Sequence, residues 1–173
     1  NCLRLPGTDG KAKMSKSLNN CIYLSDTAEE VSKKVMSMFT DPNHLKVSDP
    51  GETEGNPVFI YLEAFANDEH FKKFWPEYEN LEALESHYRR GGLGDVKVKR
   101  FLVNVLNDTL EPIRERRKEL EKDIPAIYDI LKEGSIYAQK IAARTLSEVK
   151  KAMRINYFDD DSLIRNHQEK FGK

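Results

Sequence analysis

The sequence predicts a mainly α protein, a short mixed opening piece followed by an antiparallel helical bundle. Three observations predict it. Apolar residues recur three and four apart over most of the chain. Gly, Pro, Asn and Asp crowd into residues 6–20 and 40–57, which read as turns. Hydrophobic residues make up 39% and charged residues 33%, a balance that suits charged, solvated helix faces around an apolar core.

Leu3 and Leu5 suggest a strand end, closed by Pro6-Gly7 and Asp9-Gly10. A lysine-rich loop follows. The apolar run Cys21 to Leu24 reads as a small strand. Thr27 and Glu30 have the spacing of a capping box, and Val31, Val35, Met38 and Phe39 then form one helical stripe. Residues 40–55 hold two Asp-Pro pairs and two glycines, and so are irregular. Asn56-Pro57 looks like an N-cap followed by proline at the first helical position, with Val58, Tyr61, Leu62 and Phe65 facing one way.

A shorter helical unit around residues 71–75 ends at Pro76, and another helix runs over 79–90 to Gly91-Gly92. Trp75 reads as core, and Gly91-Gly92 as a helix stop. Val98, Phe101, Leu102, Val105, Leu106, Leu110 and Ile113 form a long stripe that continues past Pro112. Ile124, Ile127, Ile130 and Leu131 make another, which Gly134-Ser135 is expected to end. Ala138, Ile141, Ala142, Thr145, Val149 and Met153 carry the last helix. Residues 159–173 read as a loosely held tail, and the carboxylates Asp159, Asp160 and Asp161 as solvated.

Charge excludes some partners. Lys and Arg number 28 against 29 Asp and Glu, so no global field points to DNA or a membrane surface. No apolar run approaches the length of a membrane span. Cys2 and Cys21 form no Cys-x-x-Cys pair and lack suitably spaced histidines for zinc, so no metal is expected. A reducing compartment is the simpler reading for them, with a disulfide between the two as the alternative.

The chemistry concentrates in "RLPGTDGKAKMSKSLNN", residues 4–20. Lys11, Lys13 and Lys16 lie within six residues, behind Gly7 and Gly10 and beside the hydroxyls of Ser15 and Ser17. Ammonium groups placed where charge grows on a departing pyrophosphate stabilise the transition state more than the ground state. Met14 has no charge role, but burial against the body would latch the loop. Taken alone, such a loop also reads as a solvated basic segment or a modification or sorting signal. It is expected to be open and mobile around residues 8–17.

"KMSKS", residues 13–17, is the signature loop of class I aminoacyl-tRNA synthetases, and its surroundings resemble tryptophanyl-tRNA synthetases of bacterial type. The segments "KVMSMFTDPNHLKVSDPG", "EGNPVFIYLEAF", "RRGGLGDVKVKRFL" and "PIRERR" are similar to the same family, so the likeness runs to about Phe158. The resemblance implies the C-terminal remnant of a class I Rossmann-type nucleotide-binding domain in residues 1–25, ending in the loop. It further implies a connecting helix and turn-rich linker in 26–55 and a helical domain contacting the tRNA anticodon in 56–158. The implied activity is tryptophan–tRNA ligase: ATP, with Mg2+, activates tryptophan to its adenylate, and tRNA(Trp) is then charged. Lys13 and Lys16 match the family's catalytic loop lysines, and Met14, Ser15 and Ser17 complete the ATP-binding stretch.

The family's HIGH-type motif is absent, so the chain is expected to be a fragment that is inactive alone. The parent is expected to be a cytoplasmic homodimer, paired mostly through regions outside this chain. Tyrosyl-tRNA synthetase is the nearest rival, and a non-catalytic helical RNA-binding module a further one. For RNA, three basic clusters are candidates: Arg89, Arg90, Lys97, Lys99 and Arg100; Arg114, Arg116, Arg117 and Lys118; and Arg144, Lys150, Lys151 and Arg154. Solvated helix faces carry the same residues for no such purpose.

Overall fold

A computed structural model describes residues 4–172. The chain is mainly α, with helices α1 (Ala28–Met36), α2 (Pro57–Phe65), α3 (Asp68–Phe74), α4 (Leu81–Arg90), α5 (Asp95–Leu120), α6 (Ile124–Ala152) and α7 (Asp161–Phe171). Among the described residues β-structure is limited to one antiparallel bridge between Pro6 and Lys13. Cys21 to Leu24 form no strand. Four apolar residues have no neighbouring strand to pair with, and the buried Cys21 and partly buried Ile22 join the body from coil. Two compact units divide the chain, residues 1–118 and 119–173.

In the first unit the helix starts follow their sequence signals. Thr27 caps α1 by accepting from Glu30 N at 3.2 Å, while its own N–H donates to Glu30 Oε2 at 2.8 Å. Asn56 caps α2 by accepting from Val58 N, with Pro57 in the first turn. The core gathers Val31 and Val35 from α1 and Val58, Tyr61 and Leu62 from α2. Phe71, Leu84 and Tyr88 join them from α3 and α4, and α5 adds the stripe Val98, Phe101, Leu102, Val105, Leu106 and Leu110. Phe39, at the end of the α1 stripe, is 40% exposed instead. Gly91 and Gly92 stop α4 at φ 87° and 100°, a region that side-chain-bearing residues rarely occupy. Trp75 packs edge-on against Phe101 and Tyr78, at centroid distances of 5.5 and 4.9 Å.

α5 passes through Pro112 without ending. Two of its basic residues are structural. Lys99 is buried and donates to Met36 O at 3.2 Å and Met38 O at 2.7 Å, carbonyls left over at the end of α1. Arg114 is buried and donates to Asp26 O at 2.9 Å, Asn107 Oδ1 at 2.7 Å and Glu111 Oε2 at 2.7 Å. Two of the histidines are likewise absorbed. His44 Nδ1 lies 2.9 Å from Asp95 and 3.1 Å from the Tyr88 hydroxyl, and His70 Nδ1 accepts from Asn67 N in the cap of α3.

The second unit holds α6, a 3-10 turn at Tyr157–Asp159 and α7. Gly134-Ser135 does not end a helix: α6 runs 29 residues straight through it. A Cβ at Gly134 would meet nothing within 4 Å, so no turn or close approach is at work there. An interior glycine costs a helix only ~1 kcal/mol, which the flanking helix formers offset. In the tail, Asp160 caps α7 by accepting from Ser162 N and Leu163 N. The apolar residues of α6 stay largely exposed within this unit, Leu131 at 60% and Ile141 at 41%.

Candidate active-site loop and basic surface

The lysine loop is folded back on itself rather than open. Gly7 N donates to Ala12 O at 2.7 Å and Gly10 N to Gly7 O at 3.0 Å. Two bonds moor it to the body: the Tyr61 hydroxyl donates to Pro6 O at 2.7 Å, and Phe39 N to Thr8 O at 3.0 Å. Met14 is partly buried and packs against the core cluster. Lys16–Leu18 form a single 3-10 turn, and the Ser15 and Ser17 hydroxyls lie 2.8 Å apart.

Lys11, Lys13 and Lys16 are all exposed, and among the described residues none of them forms an ion pair. Three ammonium groups with no carboxylate partner leave the loop positively charged toward solvent. That is the electrostatic state a polyphosphate requires, since a cation already paired must first give up its partner. Beneath them, burial pushes the Asp9 carboxyl up, but hydrogen bonds from Lys11 N, the Asn20 amide and Ala12 N outweigh it and hold its pKa below the usual value.

Sequence reasoning missed Asn20. Only 3% exposed, it reaches into the loop with both ends of its amide, accepting from Ser15 N at 2.7 Å and donating to Lys13 O at 3.2 Å. Nothing in spacing or composition marks it, because its partners lie across a turn whose shape the sequence does not spell out.

The basic clusters divide. Lys99 and Arg114 are removed from any surface role by burial. Arg89 pairs with Glu85 and donates to Thr53 Oγ1 at 3.0 Å, and Lys118 pairs with Glu115 at 2.7 Å. Lys97 and Arg100 are exposed one turn apart on α5. With Phe74, Trp75, Phe101, Asn104 and the carboxylate of Glu77 they line a shallow groove of about 240 Å³. In the second unit Arg144, Lys150, Lys151 and Arg154 are exposed. Among the described residues no group of His, Cys, Asp and Glu is placed to hold a metal, and no helix is long and apolar enough to cross a membrane. Cys21 is a buried free thiol, and Cys2 lies outside the described residues.

An exposed lysine loop with no carboxylate partner, on an α-helical body, is charged to meet an anion. The family model for tRNA synthetases class I (W and Y) matches residues 4–111, and the chain belongs to that family. Within it the chain is similar to tryptophan–tRNA ligases. It is 59% identical over 157 residues to that of Clostridium longisporum, and the match takes in 91% of this chain and 43% of the relative. A tryptophan–tRNA ligase of Streptococcus pyogenes is also 59% identical, over 90% of this chain and 44% of its own length. The chain therefore spans less than half the length of these relatives. Among solved structures, tryptophanyl-tRNA synthetase from Campylobacter jejuni, complexed with ADP and tryptophan, superposes with a TM-score of 0.65. It is 27% identical, over 85% of this chain and 42% of that one.

Proposed function

We propose that this chain is the C-terminal part of a tryptophan–tRNA ligase and supplies one half of its ATP site together with a tRNA-contacting surface. The observation that carries the reading is the loop: Lys13 and Lys16 exposed and unpaired on a latched backbone, in a chain 59% identical to tryptophan–tRNA ligases across nearly all of its length. Lys13 and Lys16 act on the phosphates of ATP, which enters with Mg2+, and stabilise the pyrophosphate that leaves the α-phosphate as the tryptophan carboxylate attacks it to form tryptophanyl-adenylate. Met14, Ser15 and Ser17 complete the ATP contact, the methionine by holding the loop down and the serines as hydroxyl donors. Lys97 and Arg100 beside Trp75 and Asn104 give tRNA(Trp) phosphate-binding cations next to an aromatic ring and an amide that can read a base edge. The enzyme works in the cytoplasm as a homodimer, and this chain alone makes no adenylate.

ATP–pyrophosphate exchange by the full-length protein, with tryptophan and tyrosine in parallel, tests this reading. Exchange is expected with tryptophan alone. Changing Lys13 or Lys16 to alanine is expected to lower its rate by roughly a hundredfold, the usual effect of losing one donor to a developing anion. Exchange with tyrosine instead moves the protein to the sister specificity. Exchange with neither overturns the ligase reading and leaves an RNA-binding module.

A further inference from the structure

We propose that Asn20, oriented by Asp9, is a positioning residue that fixes the lysine loop in the geometry its phosphate chemistry needs. The inference rests on the ligase reading for the chemistry, but its geometry is independent of it. Asn20 Oδ1 accepts from Ser15 N at 2.7 Å and Nδ2 donates to Lys13 O at 3.2 Å. One amide thereby grips the backbone on both sides of Met14, holding Lys13 and fixing where Lys16 begins. The Asn20 carbonyl also accepts from Thr8 N at 3.0 Å, so the same residue ties down the opposite limb of the loop.

Asp9 decides which way the amide faces. Both of its carboxylate oxygens lie 3.2 Å from Nδ2. A carboxylate only accepts, so the NH2 must turn toward it and the oxygen toward Ser15 N. Lys11 N and Ala12 N hold Asp9 in turn, at 3.3 and 3.5 Å. Space for the amide comes from Gly7, where a Cβ would fall 2.2 Å from Nδ2. Asparagine alone combines one acceptor and one donor at this reach: aspartate has no donor, and glutamine is longer by a methylene. Catalytic groups must be held within about 0.5 Å of the productive geometry, and a side chain that bonds the main chain on both sides of the latch does that for the lysines.

The test uses the full-length protein and two readouts. In ATP–pyrophosphate exchange, Asn20→Ala is expected to lower kcat about 10- to 100-fold with the KM for tryptophan unchanged, the scale of a misplacement near 1 Å. Asn20→Asp is expected to be worse, with two carboxylates face to face. The swapped pair Asp9→Asn with Asn20→Asp restores a donor between them and is expected to recover at least fivefold over Asn20→Asp. In the second readout, tryptic cleavage after Lys13 and Lys16 is expected to accelerate in Asn20→Ala while the thermal midpoint stays within a few degrees. Unchanged loop proteolysis overturns the clamp, as does a kcat within twofold of the parent, and a swap no better than Asn20→Asp alone overturns the orienting role of Asp9. If the parent shows no exchange with any amino acid, the ligase reading falls by itself, and the proteolysis still decides whether Asn20 holds the loop.

Discussion

Replacing Arg114 by methionine separates the structural basic residues from those open to RNA. Arg114 is 8% exposed, and its guanidinium makes three bonds, to Asp26 O at 2.9 Å, Asn107 Oδ1 at 2.7 Å and Glu111 Oε2 at 2.7 Å. Methionine keeps the stem's apolar contacts and removes only the fork. The Asp26 carbonyl is then left buried without its donor, which costs about 1–3 kcal/mol. Losing the half-buried Asn107 adds about 1 kcal/mol. The Glu111 pair adds a few tenths, because that carboxylate is half exposed and screened. The sum is about 2–4 kcal/mol, read as a lowered urea midpoint with an unchanged slope. At about 4 °C per kcal/mol, the thermal midpoint falls by roughly 8–16 °C. Arg114→Lys, with the charge but not the fork, recovers at most half. Below the melting range, tRNA affinity stays within twofold of the parent in both variants. A methionine variant within 0.5 kcal/mol of the parent, or one that is stable but fails to bind tRNA, refutes the assignment.

The remaining predictions concern the cap, the core and the RNA face. The Thr27 N–H, then its hydroxyl, hold the Glu30 carboxyl below its usual value of 4.5. A depressed folded-state pKa gives stability that is present above pH 4.5 and lost as pH falls through the folded value, so Glu30→Gln flattens acid unfolding below pH 4.5. Gly51→Ala sets a Cβ 2.2 Å from the Tyr88 ring, which is fully buried, so a loss of about 1–3 kcal/mol is expected in urea melts. Lys97→Ala and Arg100→Ala each weaken tRNA binding at constant stability and reduce the salt slope of log K by about 0.7–0.9; an unchanged slope removes that residue from the RNA face.

Much of the fold was legible because its signals are local. Thr27-x-x-Glu30 and Asn56-Pro57 start helices where the capping chemistry requires it. Pro112 lies inside α5 as the unbroken stripe predicts. Gly134 misled, since a lone glycine signals a stop only where a turn needs its freedom, and α6 needs none. Charge misled differently. Lys99 and Arg114 look like surface cations, yet both fall on the stripe: Lys99 precedes Leu102 by three positions and Arg114 follows Leu110 by four. That register was the available sign of burial. The loop lysines were legible by type and motif. Asn20 was not, because its role lies in contacts with residues 5 and 11 positions away whose approach depends on the folded turn.

The charge balance explains why the loop's geometry carries so much weight. With a formal net charge of −1, the chain has no long-range field to gather a polyanion, and salt screens what remains beyond ~8–10 Å. Attraction for phosphate must then come from a few ammonium groups at contact range, where energy depends steeply on distance. Side-chain length lets a lysine search for its partner, but that freedom is lost on binding at up to about 2 kcal/mol each. In the proposed ligase, a main chain already fixed by Met14 on the core and by the Asn20 amide adds no backbone ordering cost to this when ATP binds. On the proposed ligase reading, the loop is then one side of a site whose rigidity, more than its charge count, sets how well Lys13 and Lys16 meet the leaving pyrophosphate.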